Sequence, residues 1–241
     1  EWQFRADYPD TEEEALSPLL GRGFFDGPTL KKLQDEAIKP EEVRQGCIYI
    51  YHRPKVGTQY IAGVDMAEGR GGDYSVLWIE GKEGLSRELV AVMHSNQVLP
   101  DMFSYMSYEL LKEYYVPRVV CGADAWGQMF IDCMLGLGYP RDKFYATDKK
   151  REKLGYVESG KTRDNDLVQM EKALRGGLKI HYLPAIEEFF AFQIGDNGRI
   201  EAAEGSHDDL VMAAAKANYG FTNYPSGGAK ISVTYPTTWR K

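Results

Sequence analysis

The stretch Tyr60–Gly81, YIAGVDMAEGRGGDYSVLWIEG, decides how the chain is read. An apolar run, Tyr60 to Val64, closes on the acid Asp65. A glycine-rich turn, Gly69 to Gly72, leads to a second acid, Asp73, and a second apolar run follows. Two apolar runs of this length around a Gly-rich turn predict an antiparallel strand pair. An acid at the end of a strand is ordinarily a solvated turn residue. It is also where α/β sheets present their chemistry, beyond the carboxyl ends of strands.

The same pattern recurs downstream. Arg118–Asp124, RVVCGAD, is a short apolar run that again ends on an acid, Asp124. Near the end of the chain GSHDDLVMAAAKA opens a helix with His207, Asp208 and Asp209. Acids in a first helical turn complement the helix dipole, and Ser206 or His207 is placed to cap it. If the strands ending at Asp65 and Asp124 are parallel neighbours, their carboxylates lie roughly 5 Å apart, one strand spacing. Carboxylates that close raise each other's pKa. A divalent cation relieves the conflict, and an oxygen-only ligand set suits Mg²⁺ or Mn²⁺. Asp208 and Asp209 point about 100° apart on a helix, so they cannot serve one ion alike; Asp208, nearer the helix start, is expected to be the direct ligand.

Around these motifs strands are expected at Cys47–His52, Tyr74–Glu80, Arg87–His94, Lys143–Ala146 and Leu178–Tyr182. Helices are expected at 100–115, 126–137, 162–175 (closed by Gly176-Gly177) and 206–219. A short helix and a hairpin through Gly195–Gly198 fill 185–204. Three antiparallel strands followed by alternating helices and strands predict an α/β fold with a mixed sheet flanked by helices. Residues 1–45, with a Glu-rich helix start after Thr11 and a second short helix near Pro28 to Ala37, read as a lead-in segment. Residues 46–221 read as the compact domain, and 222–241, rich in Pro, Gly, Ser and Thr, as a tail. The chain opens on Glu1 rather than Met, as a domain excised from a longer protein would.

Composition narrows the function. The 241 residues carry 43% hydrophobic and 27% charged side chains, ordinary for a globular protein. No apolar run is long enough for a transmembrane helix, so no membrane partner is expected. Three cysteines without CxxC spacing and four scattered histidines give little support to a disulfide framework or a structural zinc site. A formal net charge of −7 argues against binding nucleic acid by overall charge. Yet KKREKLGYVESGKTR, Lys149 to Arg163, holds six basic and two acidic residues. Lys149, Lys150, Arg151, Lys153, Lys161 and Arg163 are therefore candidates for contacting backbone phosphate. The Gly69–Gly72 turn lacks the lysine and hydroxyl of a nucleotide-binding phosphate loop, so no nucleotide cofactor is expected.

In this order the motifs resemble those of one family, the nuclease domain of tailed-phage terminase large subunits, the DNA-packaging motors. GVDMAEGRGGDYS is similar to its first acidic motif, VVCGADAWG to its second and EGSHDDLVMAAA to its last. SGKTRDNDLVQMEKALRGGLKI resembles its Lys-Thr-Arg helix and the following strand, and YPDTEEEAL with GRGFFD the segment after its ATPase domain. The resemblance runs from about Tyr8 to Tyr219. Many members carry Glu-Asn in the second motif where this chain has Asp124-Ala125, a ligand shorter by one methylene.

The resemblance implies a ribonuclease H-like fold and two-metal cleavage of double-stranded DNA during viral genome packaging. Asp65, Asp124, Asp208 and Asp209 would hold two divalent cations, with Asp73 and His207 in support. The implied partners are DNA, an N-terminal ATPase domain, the small terminase subunit and the capsid portal, with action in the host-cell cytoplasm at the procapsid. Competing readings are a junction resolvase or ribonuclease H, which would prefer branched DNA or hybrids. A phosphotransferase of the actin and sugar-kinase type would need a second phosphate-binding hairpin, and a silent docking module would not need the acids.

Overall fold

The computed structural model describes residues 23–148, 150, 152–195 and 198–223. The Glu-rich helix start after Thr11 and all but the first two residues of the C-terminal tail lie outside the described residues. Along the chain the elements are α1 (Gly27–Asp35), β1 (Glu42–Arg44), β2 (Ile48–Ile50), β3 (Gln59–Asp65), β4 (Ser75–Glu83) and β5 (Ser86–Ser95). There follow α2 (Pro100–Glu113), β6 (Arg118–Cys121), α3 (Ala125–Gly136), α4 (Gly160–Arg175), α5 (Leu183–Ala191), β7 (Phe192–Ile194), β8 (Ile200–Ala202) and α6 (Asp209–Asn223).

Six strands form one mixed sheet in the order β1-β2-β5-β4-β3-β6. Every pairing is antiparallel except β3 with β6, which run parallel, Val64 beside Cys121. This is the expected α/β class. Side chains alternate across a strand, and the sheet uses both faces. Val76 and Trp78 of β4 join a core built with α4, α5 and α6. Leu77 and Ile79 join a second core built with α2 and α3. Central strands buried on both sides read as unbroken apolar runs, which is why Tyr60–Val64 and Ser75–Ile79 carry no alternation.

On the α6 face of β3 stands Gly63. A Cβ there would lie 2.0 Å from Ala213 O and 2.5 Å from Ala217 N, so α6 lies flush against the strand backbone. Downstream, β7 and β8 form the expected hairpin, although its turn residues 196 and 197 are outside the described residues.

Beyond shifts of one to three residues at several element ends, the structure departs from the sequence reading at four places. The strand expected to reach Asp124 ends at Cys121, because Asp124 turns the chain as the N-cap of α3. Residues 143–146 form no strand: Phe144 and Ala146 make single bridges to Val119 and Leu154. Within 178–182 only Lys179 bridges, to Glu88. The last helix begins at Asp209 and runs to Asn223. The short polar strand β1 and helix α1 lie within the expected lead-in segment, yet β1 pairs with β2 and Phe25, Leu30 and Leu33 are in the core.

Candidate active site

Asp65 closes β3 on the same face as Ile61 and Gly63, the face covered by α6. On α6, Asp209 and Lys216 are seven residues apart, two helical turns, and therefore share a side. Lys216 is 4% exposed, and its Nζ donates to Asp65 Oδ1 at 2.8 Å. Burial works to lower the ammonium pKa, but Asp65 and then Glu158 outweigh it and hold Lys216 above its usual value.

Asp209 is buried, and its Oδ2 accepts from the Tyr74 backbone N–H at 3.2 Å. Burial pushes its carboxyl up to about 6; the Tyr74 bond opposes this, while Asp65, Asp208 and Asp73 add to it. His207 Nδ1 stands 3.7 Å from Asp209 Oδ2, and its ring packs edge-on against Tyr74. The neighbouring Asp208 is held otherwise. Its Oδ2 accepts from Arg163 at 2.7 Å, and the same guanidinium donates to Ile200 O at 2.7 Å. Asp73 is exposed on the turn before β4.

Asp124 lies beyond the end of β6. Its Oδ1 accepts from Trp126 N at 3.0 Å and Gly127 N at 2.9 Å, the bonds of a helix N-cap. Its Oδ2 occupies the space over Gly122, where an added Cβ would come within 2.3 Å. Beneath, burial pushes up the Cys121 thiol, which senses Lys216, Asp124 and Asp65 together. The expected parallel neighbours are thus present, with Asp124 set back into the following helix.

Two site residues were not singled out from the sequence. Glu158 precedes α4, and its carboxyl is raised first by partial burial; Asp65 and Asp208 also raise it, against Lys216 and Arg163. Lys216 is the other, and a lone lysine in the apolar run LVMAAAKANYG, two turns from Asp209, was a usable signal. Glu158 left none, since a loop has no periodicity.

Of the basic candidates, Lys150, Lys153 and Lys161 are exposed. Arg163 is committed to Asp208 and the Ile200 carbonyl. Lys149 and Arg151 lie outside the described residues. Lys153 lines a groove of about 450 Å³ with Ala123, Gln128, Arg141, Thr147 and Val157, so the groove begins one residue from Asp124.

No family model matches the chain. Its structure is similar to the large terminase nuclease from thermophilic phage G20c with bound magnesium, at a TM-score of 0.63 and 16% identity. That match covers 82% of this chain and 97% of the other. A second similar structure is the large terminase nuclease domain of Thermus phage P74-26, with a TM-score of 0.59 and 18% identity over 83% and 96% of the two chains. This chain has the large-terminase nuclease fold. The G20c nuclease has also been solved with cobalt and with zinc. Against a longer large terminase, from another thermophilic bacteriophage, the TM-score is 0.53 at 11% identity, and the match covers 79% of this chain but 45% of that one.

Within the terminase-nuclease fold the acids are of the ligand type that a hard divalent cation takes, although among the described residues no three of them hold donor atoms within 4.8 Å of one another. They offer oxygen alone. Burial is the first cause that raises Asp209 and Glu158, and the neighbouring acids add to it; that added charge is the part a cation relieves. Lys216 and Arg163 already balance part of it.

Proposed function

We propose that this chain is a metal-dependent endonuclease domain that cuts double-stranded DNA concatemers during phage genome packaging. The observation that supports this most is the set of acids about Asp65 at the carboxyl end of β3, Asp209 and Glu158 each sensing Asp65 and Asp208 while buried Lys216 pairs with Asp65, in a terminase-nuclease fold. Asp65, Asp124, Asp208 and Asp209 would hold two Mg²⁺ or Mn²⁺ ions, which when bound supply an activated water and stabilise the leaving 3′ oxygen.

The chain's own residues do the positioning. Lys216 fixes Asp65, and Arg163 fixes Asp208. The Tyr74 N–H aims Asp209, with His207 and Asp73 beside it. Asp124 is aimed by the helix it caps. Lys150, Lys153 and Lys161, with Lys149 and Arg151, would contact backbone phosphates, Lys153 from the groove beside Asp124. No base-reading motif accompanies them, so weak sequence preference follows.

In this reading an ATPase domain lies N-terminal to the nuclease, and α1, β1 and the whole of α6 belong to the nuclease rather than to the lead-in and tail that the sequence suggested. The longer large terminase, about twice the length of its matched part, supports such an arrangement. The small subunit, the portal and a cytoplasmic site at the procapsid are the partners and place that packaging requires. Plasmid cleavage tests the core of the proposal: cutting is expected with Mg²⁺ or Mn²⁺ and none with EDTA. Asp65→Asn should be folded and inactive; Asn is preferable to Ala because it leaves Lys216 Nζ an acceptor. Undiminished cutting in EDTA, or by Asp65→Asn, would sink the assignment.

A further inference from the structure

A second cluster of metal-ligating side chains lies apart from the carboxylates. His52 follows β2, Glu88 belongs to β5, and His181 lies on the segment between α4 and α5. One donor atom from each falls within 4.8 Å of the other two. His181 Nε2 is 2.6 Å from Glu88 Oε1, and His52 Nε2 is 3.2 Å from the same oxygen. Ligands 2.0–2.1 Å from a tetrahedral ion stand about 3.3 Å apart. The pocket thus needs only a small opening on the His181 side.

The three donors are held by backbone rather than by chance. Tyr51 N and His52 N both donate to Val90 O, at 2.9 and 3.1 Å. Leu89 N donates to Lys179 O and Lys179 N to Arg87 O, fixing Glu88 beside the strand-like stretch that carries His181. His52 Nε2 is buried and faces Glu88 Oε1 at 3.2 Å, so both imidazoles converge on one carboxylate oxygen. Behind it, Glu41 Oε1 lies 3.9 Å from His52 Nδ1, a charge neighbour beyond hydrogen-bond distance.

We propose that His52, Glu88 and His181 form a binding site for Zn²⁺ or a similar borderline-soft divalent metal, which ties β2 and β5 to the segment leading into α5. Two imidazoles and one carboxylate select such an ion over Mg²⁺. With three protein ligands and the His52 and Glu88 side chains 30% and 26% exposed, the fourth position belongs to water. The site is distinct from the carboxylate cluster. Glu88 is six residues along β5 from His94, whose ring stacks on Tyr74 beside Asp209, and six strand residues span about 20 Å. The proposal does not depend on the nuclease reading.

The test uses the full 241-residue chain, stripped of metal and carrying Asp65→Asn and Asp209→Asn to weaken binding at the carboxylates. Zn²⁺ and Co²⁺ are titrated in excess Mg²⁺. The expected result is one Zn²⁺ bound per chain, a rise in melting temperature, and a Co²⁺ complex with the intense visible bands of a four-coordinate nitrogen and oxygen field. Adding His52→Gln or Glu88→Gln should weaken Zn²⁺ binding by more than about 100-fold, the upper end for losing a mere outer-shell partner. Weak octahedral-type Co²⁺ bands in the parent would overturn the proposal without recourse to any variant. So would Zn²⁺ binding of equal strength in the parent and both variants.

Discussion

Gly63→Ala is the most demanding test of how the site is built. The added Cβ would stand 2.0 Å from Ala213 O and 2.5 Å from Ala217 N, where ordinary contact begins at 3.4 Å. Something must move by about 1.4 Å, and both obstacles are backbone. Strand β3 is paired on both edges, by β4 and by β6, so it cannot easily retreat. The helix α6 must yield, and it carries Asp209 and Lys216. Overpacking of this kind costs about 1–3 kcal/mol. A shift of about 1 Å in groups that position a reaction costs on the order of 100-fold in rate. Gly220→Ala is the internal control at the same interface. Its Cβ would meet Ile61 Cγ2 at 2.6 Å and Val120 Cγ2 at 3.2 Å, the ends of side chains that can turn aside. Urea unfolding and metal-dependent plasmid cleavage, run on both variants, should show Gly63→Ala about 100-fold slower and Gly220→Ala within about tenfold of the parent. Parental stability and cleavage in Gly63→Ala would refute the argument that α6 is seated on that strand.

Lys216→Met leaves Asp65 without its counter-charge; breaking a buried pair costs about 3–5 kcal/mol, and the 23% exposure of Asp65 puts the loss toward the lower end. Urea midpoints in chelator should show this loss, and added Mg²⁺ should recover part of it. Burial pushes the Glu188 carboxyl from 4.5 up to about 8. With the folded-state pKa raised, the charged form is penalised: stability should fall as pH rises from about 4.5 to 8, and Glu188→Gln should flatten that slope, as urea midpoints at the two ends would record. Replacing Lys150, Lys153 and Lys161 with Ala should lower the slope of log affinity against log salt for duplex DNA by roughly 2–3 units, read by fluorescence anisotropy; an unchanged slope would move the DNA track elsewhere.

Where local physics dominates, the sequence was readable. The meander β3-β4-β5 was visible because long apolar runs and Gly-rich turns act over a few residues. Asp65 and the Asp208-Asp209 pair were visible because they sit at element ends. The misread places turn on backbone geometry or pairing that residue type does not signal. Arg118–Asp124 looked like one strand, because Gly122 and Ala123 do not interrupt an apolar run; Asp124 becomes a helix cap only once Trp126 and Gly127 turn their N–H groups back to it. Residues 143–146 and 178–182 have strand composition but find only single bridges. β1 is three largely polar residues at the sheet edge, with no pattern to detect. Glu158 joins the cluster through loop geometry alone, and its charge neighbours are Asp65, Asp208, Lys216 and Arg163. The basic run promised six phosphate contacts, but one of its members, Arg163, faces inward to Asp208.

The two N–H bonds on Asp124 have a consequence for recognition. A surface carboxylate ordinarily samples several rotamers, and any ligand that engages it must suppress that motion, at a cost of roughly 0.5–1.5 kcal/mol for an immobilised side chain. Here the rotamer is already selected when α3 forms, because Oδ1 is anchored to Trp126 and Gly127. Oδ2 is left over Gly122, the residue type that leaves room for it. The loss of rotational freedom therefore belongs to folding rather than to binding, and whatever meets Oδ2 finds an oxygen whose direction is set in advance by the helix.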